Sequence, residues 1–295
     1  MSTRIAIIGP GAIGGTLAAL LQTRADLSVS LIARTPFAAL SVEQPDGSVL
    51  SSSPPVLTTP STPAEAFDWV FVATKAYDAS SVAPWLNALL SPITKIAILQ
   101  NGVEHRQRFA ELVPAAQLLP VMVDLPAERT APGVLRQRGP ALLRVPADPL
   151  GEAFVALFAD TAVDVKTSDD FLSVLWRKLT INAPGAVNAL LDQPNHIVQQ
   201  PAIAELMRGI MLEVITVANA EGAQLDPTLA DKILASMRRA APDGINSLHA
   251  DRRAGRTMEV DARNGAVVRA GQRHGIPTPL NTMAVTLLTA LQPKT

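Results

Sequence analysis

Near its start the chain reads Arg4-Ile5-Ala6-Ile7-Ile8-Gly9, then Pro10-Gly11-Ala12-Ile13-Gly14. The apolar run is continuous rather than alternating, as expected of a strand buried on both faces of a parallel sheet. Residues 13–21 that follow read as a helix. Between the two, Gly9, Gly11 and Gly14 fall in a GxGxxG pattern, and each glycine has a physical reason. Gly9 permits the tight turn out of the strand, Gly11 lets a backbone approach a diphosphate, and Gly14 lets the helix pack close to the strand. The unpaired N–H groups and the dipole at the helix start favour an anion. A glycine turn of purely structural use is the competing reading. The strand before it and the helix after it favour a dinucleotide site built from Gly9, Gly11, Ala12, Ile13 and Gly14.

Further strands are expected at 27–33, 67–73 and 95–99, alternating with helical segments, which points to a doubly wound α/β sheet. Residues 42–63, rich in Ser, Thr and Pro, suggest irregular or hairpin excursions, and 118–145 suggests extended segments. The character changes at Thr167-Ser168-Asp169-Asp170, where Ser168 reads as a helix N-cap. Beyond it nearly everything reads as helix: 171–181, 197–221, 227–240, 259–274 and 282–291. The expected fold class is therefore α/β. An N-terminal Rossmann-type doubly wound sheet over residues 1–168 would bind the cofactor. An all-helical C-terminal domain over 169–295 would serve substrate and catalysis.

Composition removes several function classes. Basic and acidic residues number 25 and 26, with no basic face of the kind nucleic acid requires. There is no Cys, so thiolate catalysis and Cys-ligated metals are excluded. The four His, at 105, 196, 249 and 274, form no helical ligand pair, and no metal site is expected. No stretch approaches the roughly 20 apolar residues of a spanning helix, and the N-terminus does not read as a signal peptide. A soluble cytoplasmic protein without nucleic-acid or membrane partners is the expectation.

The end of the second strand bears on which dinucleotide binds. An acid there would hold the ribose 2′-hydroxyl of NAD. This chain has Ala33-Arg34-Thr35 instead, and Arg34 can pair with a 2′-phosphate, which favours NADP(H). Lys75 and Asn101 each follow an expected strand, at the edge of the sheet where ligands bind. The competing readings are a surface lysine and a turn residue before Gly102. Lys178 and Asn182, spaced i, i+4, share a helix face in an otherwise apolar segment and are suited to lining a cleft.

Several segments together resemble one family. They are the glycine turn, Thr74-Lys75-Ala76-Tyr77, Gln100-Asn101-Gly102-Val103, the run from Leu175 through Trp176-Arg177-Lys178 to Asn182, and a stretch from Ser247 through Asp251 to Glu259-Val260-Asp261, Asn264-Gly265 and His274-Gly275-Ile276-Pro277. In this order they resemble ketopantoate reductases (2-dehydropantoate 2-reductases), oxidoreductases of pantothenate biosynthesis within the 6-phosphogluconate dehydrogenase-like group. The resemblance implies NADPH, a small 2-oxo acid reduced to a 2-hydroxy acid, and two domains, and it leaves a homodimer open. It implies that Lys178 is the general acid, since oxygen gains charge as hydride reaches a ketone carbon and a nearby ammonium can stabilise and protonate it. Partial desolvation would make that lysine a better acid. It implies that Glu259 is an active-site carboxylate, pairing with Lys178 or a substrate hydroxyl, although a helix N-terminal acid is also compatible. Ser247 would contact the substrate carboxylate or else cap a helix. Asn182 and Asn195 would line the substrate pocket, and Asp251 and Asn264 would be supporting groups or caps.

The chain departs from the family pattern at two places. After the lysine helix it reads Asn182-Ala183-Pro184-Gly185-Ala186-Val187-Asn188, so a family asparagine falls on Gly185 or Ala186, with Asn188 nearby. Another family asparagine falls on Gly244, next to Asn246. These departures bear on the substrate pocket and not on the cofactor turn. A paralogous reductase of another oxo acid is the alternative, followed by a non-catalytic NADPH-binding regulator, which would need neither Lys178 nor Glu259.

Overall fold

A computed structural model describes residues 2–293. The chain divides into two compact units. One holds the residues up to Gln100 together with His105–Phe171; the other holds Asn101–Glu104 and the described residues from Leu172 on.

The first unit opens with Thr3–Ile8 (β1), Ala12–Leu21 (α1), Leu27–Ile32 (β2), Leu40–Glu43 (β3), Val49–Ser52 (β4) and Val56–Leu57 (β5). Trp69–Val72 (β6), Ala79–Leu89 (α2), Lys95–Ile98 (β7), His105–Phe109 (α3) and Leu118–Pro120 (β8) follow. Met122–Asp124 (β9), Ala127–Ala131 (β10), Val134–Gln137 (β11), Ala141–Pro146 (β12), Pro149–Leu157 (α4) and Val163–Ser168 (β13) complete it. Six strands in the order β5-β2-β1-β6-β7-β8 form one sheet, with every pairing parallel. The continuous apolar run of β1 has a simple cause. Ile5 and Ile7 enter one core cluster with Leu17, Phe71 and Phe154, while Ala6 and Ile8 enter another with Val70, Val72 and Leu86. Side chains alternate across a strand, so a strand covered on both faces needs apolar residues throughout. The stretches anticipated as irregular or extended at 42–63 and 118–145 hold β4, which forms a hairpin with β3, and β9 to β12, which with β3, β4 and β13 form the small sheets β10-β11-β3-β4 and β13-β12-β9.

The expected cap at Ser168 is not formed. Ser168 ends β13, pairs with Pro146, and its carbonyl accepts from the Ala147 amide at 3.0 Å. The sheet continues two residues short of Phe171, where the next helix begins. Strand pairing outweighed local capping chemistry there.

The second unit is helical beyond that point: Phe171–Asn182 (α5), Gly185–Leu191 (α6), Pro201–Ala220 (α7), Leu229–Arg239 (α8), Ser247–Arg253 (α9), a π turn at Asp261–Gly265, Ala266–His274 (α10) and Pro279–Ala290 (α11). The helix anticipated at 197–221 starts at Pro201 instead. Proline at a first helical position needs no amide partner, and the residue before it is held extended, as Gln200 is at φ −75° and ψ 123°. Trp176 and Leu179 of α5 pack with Met207, Ile210, Met211 and Val214 of α7 in the core.

A polar lattice ties the unit together. Glu213 accepts the Leu280 and Asn281 amides at 2.8 and 2.9 Å, an acid at the start of α11. Asn264, fully buried, donates to Ala183 O at 3.2 Å and to Asn281 Oδ1 at 2.9 Å. Arg269 grips Glu104 with two parallel bonds of 3.0 and 2.6 Å and also bonds Asp261. Such forked pairs combine charge with fixed geometry. This grip seats the Asn101–Glu104 stretch against the π turn. Gly102 has φ +112°, and a Cβ there would lie 2.8 Å from Ala262 O, so only glycine fits the approach.

Breaking the fork removes two charge-assisted bonds from a carboxylate whose side chain is only 12% exposed. Arg269→Leu is expected to cost about 1–2 kcal/mol, below the full buried-pair penalty because Arg269 itself reaches solvent. Thermal unfolding should give less than the summed loss for Arg269→Leu combined with Glu104→Leu; strict additivity would mean the fork contributes nothing.

Candidate active site

In the first unit the glycine turn leaves β1 at Gly9, whose φ of +87° is a left-handed conformation. A Cβ on Gly9 would lie 2.8 Å from Thr74 Cγ2, so the turn lies directly against the loop after β6. A Cβ on Gly14 would lie 2.5 Å from Gly9 O and 2.9 Å from Ala73 Cβ, which makes the helix-to-strand approach possible only for glycine. At Gly11 the opposite holds: nothing stands within 4 Å of where a Cβ would be. Gly11 is the N-cap of α1 and no side chain caps the helix, so Ala12 and Ile13 begin the first turn beneath open space. This is the cradle that a dinucleotide diphosphate requires, and the residues fit it.

The turn sits where the strand order reverses. β2 flanks β1 on one side and β6 on the other, with β7 beyond β6. Ligands of open α/β sheets bind beyond the carboxyl ends of the strands at such a point. Arg34 is exposed just past β2. Lys75 is half-buried just past β6. The Lys75 carbonyl accepts from Gln100 Nε2 at 3.2 Å, and the same amide donates to Thr74 Oγ1 at 3.1 Å. His105 bonds Gln100 O at 2.8 Å, so this histidine serves the loop after β7.

In the second unit Lys178 and Asn182 are both half-buried, one turn apart on α5, while Trp176 and Leu179 face the core. Glu259 is 4% exposed and accepts a hydrogen bond from Asn101 Nδ2 at 3.1 Å. Asn101, expected at the cofactor edge, thus shares a contact with the carboxylate. Ser247 is exposed at the first position of α9 and is not its cap. Asn246 caps that helix by accepting from the His249 amide at 3.1 Å. The buried Asp251 pairs with Arg256 at 2.9 Å and supports its own turn.

The two departures from the family pattern have local causes. A Cβ on Gly244 would lie 2.8 Å from Asn195 Nδ2, and Asn195 donates from that atom to Ala241 O at 3.4 Å. A Cβ on Gly185 would lie 3.0 Å from Asn246 Cγ, and Asn246 donates to Gly185 O at 3.3 Å. At each position an asparagine from elsewhere in the unit occupies the space a side chain would take. Asn188 does not stand in for the missing family asparagine: buried, it donates to the carbonyls of Gln193 and Pro194 at 3.0 and 3.2 Å.

The residue that sequence reasoning missed is Arg263. It is 2% exposed and donates from Nη2 to Ser247 Oγ at 2.5 Å. Its signal in the sequence is its place four residues after Glu259, a spacing that puts two side chains on one helix face.

Among the described residues no helix is long and apolar enough to cross a membrane. The model of the ketopantoate reductase PanE/ApbA family matches residues 5–149, and the model of its C-terminal region matches residues 170–292. A 2-dehydropantoate 2-reductase of Caulobacter vibrioides is 50% identical over 288 residues, covering 98% of this chain and 99% of that protein. One from Mycobacterium tuberculosis H37Rv is 36% identical, with 98% of each chain covered. The crystal structure of 2-dehydropantoate 2-reductase from Geobacter metallireducens superposes with a TM-score of 0.90 at 31% identity, over 97% of this chain and 99% of that one. With a doubly wound parallel sheet, a glycine cradle at its switch point and a helical unit bearing Lys178 and Glu259, the chain belongs to the ketopantoate reductase family.

Proposed function

We propose that this protein reduces 2-dehydropantoate to pantoate with NADPH. The observation that carries the reading is the 50% identity to a 2-dehydropantoate 2-reductase over nearly the whole of both chains. In this reading the boundary between a cofactor domain and a substrate domain falls at about residue 168, within the gap between the two family models. The protein works in the cytoplasm, as a homodimer by analogy with the dimeric ketopantoate reductase of Staphylococcus aureus, which is 26% identical.

Gly9, Gly11, Ala12, Ile13 and Gly14 hold the diphosphate, and Arg34 holds the 2′-phosphate. Lys75 and Asn101 bind where cofactor and substrate meet. A bound nicotinamide supplies the hydride. Lys178 answers it with a proton: its ammonium stabilises the charge that gathers on the C2 oxygen and then protonates it, leaving a 2-hydroxy acid. Glu259 accepts from Asn101, which fixes the carboxylate as an acceptor for Lys178 or for a substrate hydroxyl. Ser247 contacts the substrate carboxylate, and Asn182 and Asn195 hold the rest of the small molecule. NADPH oxidation followed by absorbance across a panel of 2-oxo acids tests the assignment. 2-Dehydropantoate should give the highest kcat/KM, and a better rate with another oxo acid would reassign the substrate.

Two variants separate the roles. Arg34→Asp replaces the phosphate-pairing charge with an acid that repels it. KM for NADPH should rise far more than KM for NADH, and equal use of both cofactors by the unaltered protein would remove Arg34 as the discriminator. Lys178→Met keeps much of the stem and removes the proton. A positioned acid contributes ~10²–10⁴-fold, so kcat should fall by about that factor while NADPH affinity stays nearly unchanged. A kcat within about threefold of the unaltered protein, with chemistry rate-limiting, would transfer the acid role elsewhere.

A further inference from the structure

Most arginines near α9 have visible structural work. Arg252 bonds the carbonyls of Ala189 and Leu190 at the end of α6, and Arg256 pairs with Asp251. Arg263 differs from both. It is 2% exposed, in the π turn, yet its Nη2 bond runs outward to Ser247 Oγ, on an exposed residue, at 2.5 Å. Its Nε is buried with no hydrogen-bond partner. Burial works against its charge, while the carboxylates of Glu259 and Asp251 favour it. A guanidinium kept in the interior with one donor unsatisfied is costly, and a purely structural role would be filled as well by an apolar side chain of similar volume.

The Arg263–Ser247 bond also fixes what the serine can do. A hydroxyl has one proton and two acceptor lone pairs. Because the guanidinium has no acceptor, Ser247 Oγ must accept from it, and the serine proton is left to point elsewhere. A hydroxyl polarised by a charged donor is in turn a stronger donor to the next group.

We propose that Arg263 is a positioning residue for the substrate carboxylate, turning the Ser247 hydroxyl proton toward the anion and adding a buried positive charge that favours an acid over its neutral ester. The inference rests on the reading above, in which Ser247 meets the carboxylate of a 2-oxo acid. It adds that discrimination between charged and uncharged substrates is set beneath the serine, by a residue that does not itself touch the substrate.

The experiment compares 2-dehydropantoate with its methyl ester, in the unaltered protein and in Arg263→Gln, Arg263→Lys and Ser247→Ala. Losing a charged hydrogen bond corresponds to about a ten- to hundred-fold change. Arg263→Gln should raise KM for the acid by about that factor and leave kcat within about threefold. KM for the ester and for NADPH should barely move. Arg263→Lys, which keeps the charge, should recover part of the loss. Ser247→Ala, at an exposed position that keeps the fold, should reproduce the loss for the acid alone, and adding Arg263→Gln to it should cost little more. Calorimetric binding of pantoate and its amide supplies the same comparison without turnover. Equal impairment of acid and ester overturns the proposal, as does an unchanged KM for the acid in either Arg263→Gln or Ser247→Ala. Should Arg263→Gln fail to fold, Ser247→Ala and Arg263→Lys decide on the same criteria. If the unaltered protein reduces neither acid nor ester, the functional reading fails instead, and the binding comparison still judges whether Arg263 favours the anion.

Discussion

The close approach of α1 to β1 and β6 is the constraint on which the first unit turns. A single carbon added at Gly14 would overlap Gly9 O and Ala73 Cβ, and one added at Gly9 would overlap Thr74. Backbone therefore meets backbone where side chains would ordinarily separate helix from sheet. That contact puts the uncapped start of α1 immediately beyond the end of β1, beside the reversal of strand order. The anion site follows from the same geometry, because amides left unpaired by a missing cap are what a diphosphate needs. Stability here comes from the strands, whose two faces feed separate apolar clusters, so the binding turn can be spared any packing of its own above Gly11.

The second unit solves its problem differently. Its candidate site residues stand on helices and on the bends between them, and bends expose carbonyls and amides that the interior must satisfy. Two buried asparagines and a half-buried glutamate do this work: Asn264 and Asn281 bridge the π turn, the start of α6 and α11, and Glu213 holds the first amides of α11. The Arg269–Glu104 fork then seats the stretch that carries Asn101, and Asn101 reaches Glu259. The carboxylate is positioned by a chain of polar contacts that begins well away from it. Such lattices are sensitive to the loss of any member, since each group removed leaves another buried without a partner.

What was legible in the sequence was whatever repeats with a local period or carries turn chemistry. A continuous Ile-rich run announced β1, shorter apolar runs announced β2, β6 and β7, and the GxGxxG spacing announced both the turn and the reason for each glycine. The helical character beyond 170 was equally plain. Local signals failed where a long-range partner decided the outcome. Ser168 has the composition of a cap, but a parallel strand was available to pair with it, and a ladder of backbone bonds satisfied more groups than one cap would. The short helices α6 and α9 were missed because seven-residue segments are too short to show a period. Gly185 and Gly244 looked like lost functional positions. In the structure each makes room for an asparagine more than fifty residues or nearly fifty residues away in the chain, a relation no local window contains.

Arg263 illustrates a limit of another kind. Its neighbours in the chain, Asp261 and Asn264 among them, mark nothing unusual, and the cost of burying a guanidinium is the clue to its use. Glu259 accepts from the Asn101 side-chain amide and Ser247 from the Arg263 guanidinium, so each oxygen is engaged as an acceptor by its partner. The carboxylate can only accept again, while the serine keeps its one proton for donation beside a second lone pair. A substrate with a carboxylate at one end and a hydroxyl at the other needs a donor for the first and can use an acceptor for the second. Asn101 and Arg263 thereby hold opposite roles open at the two groups, acceptance at Glu259 and donation at Ser247.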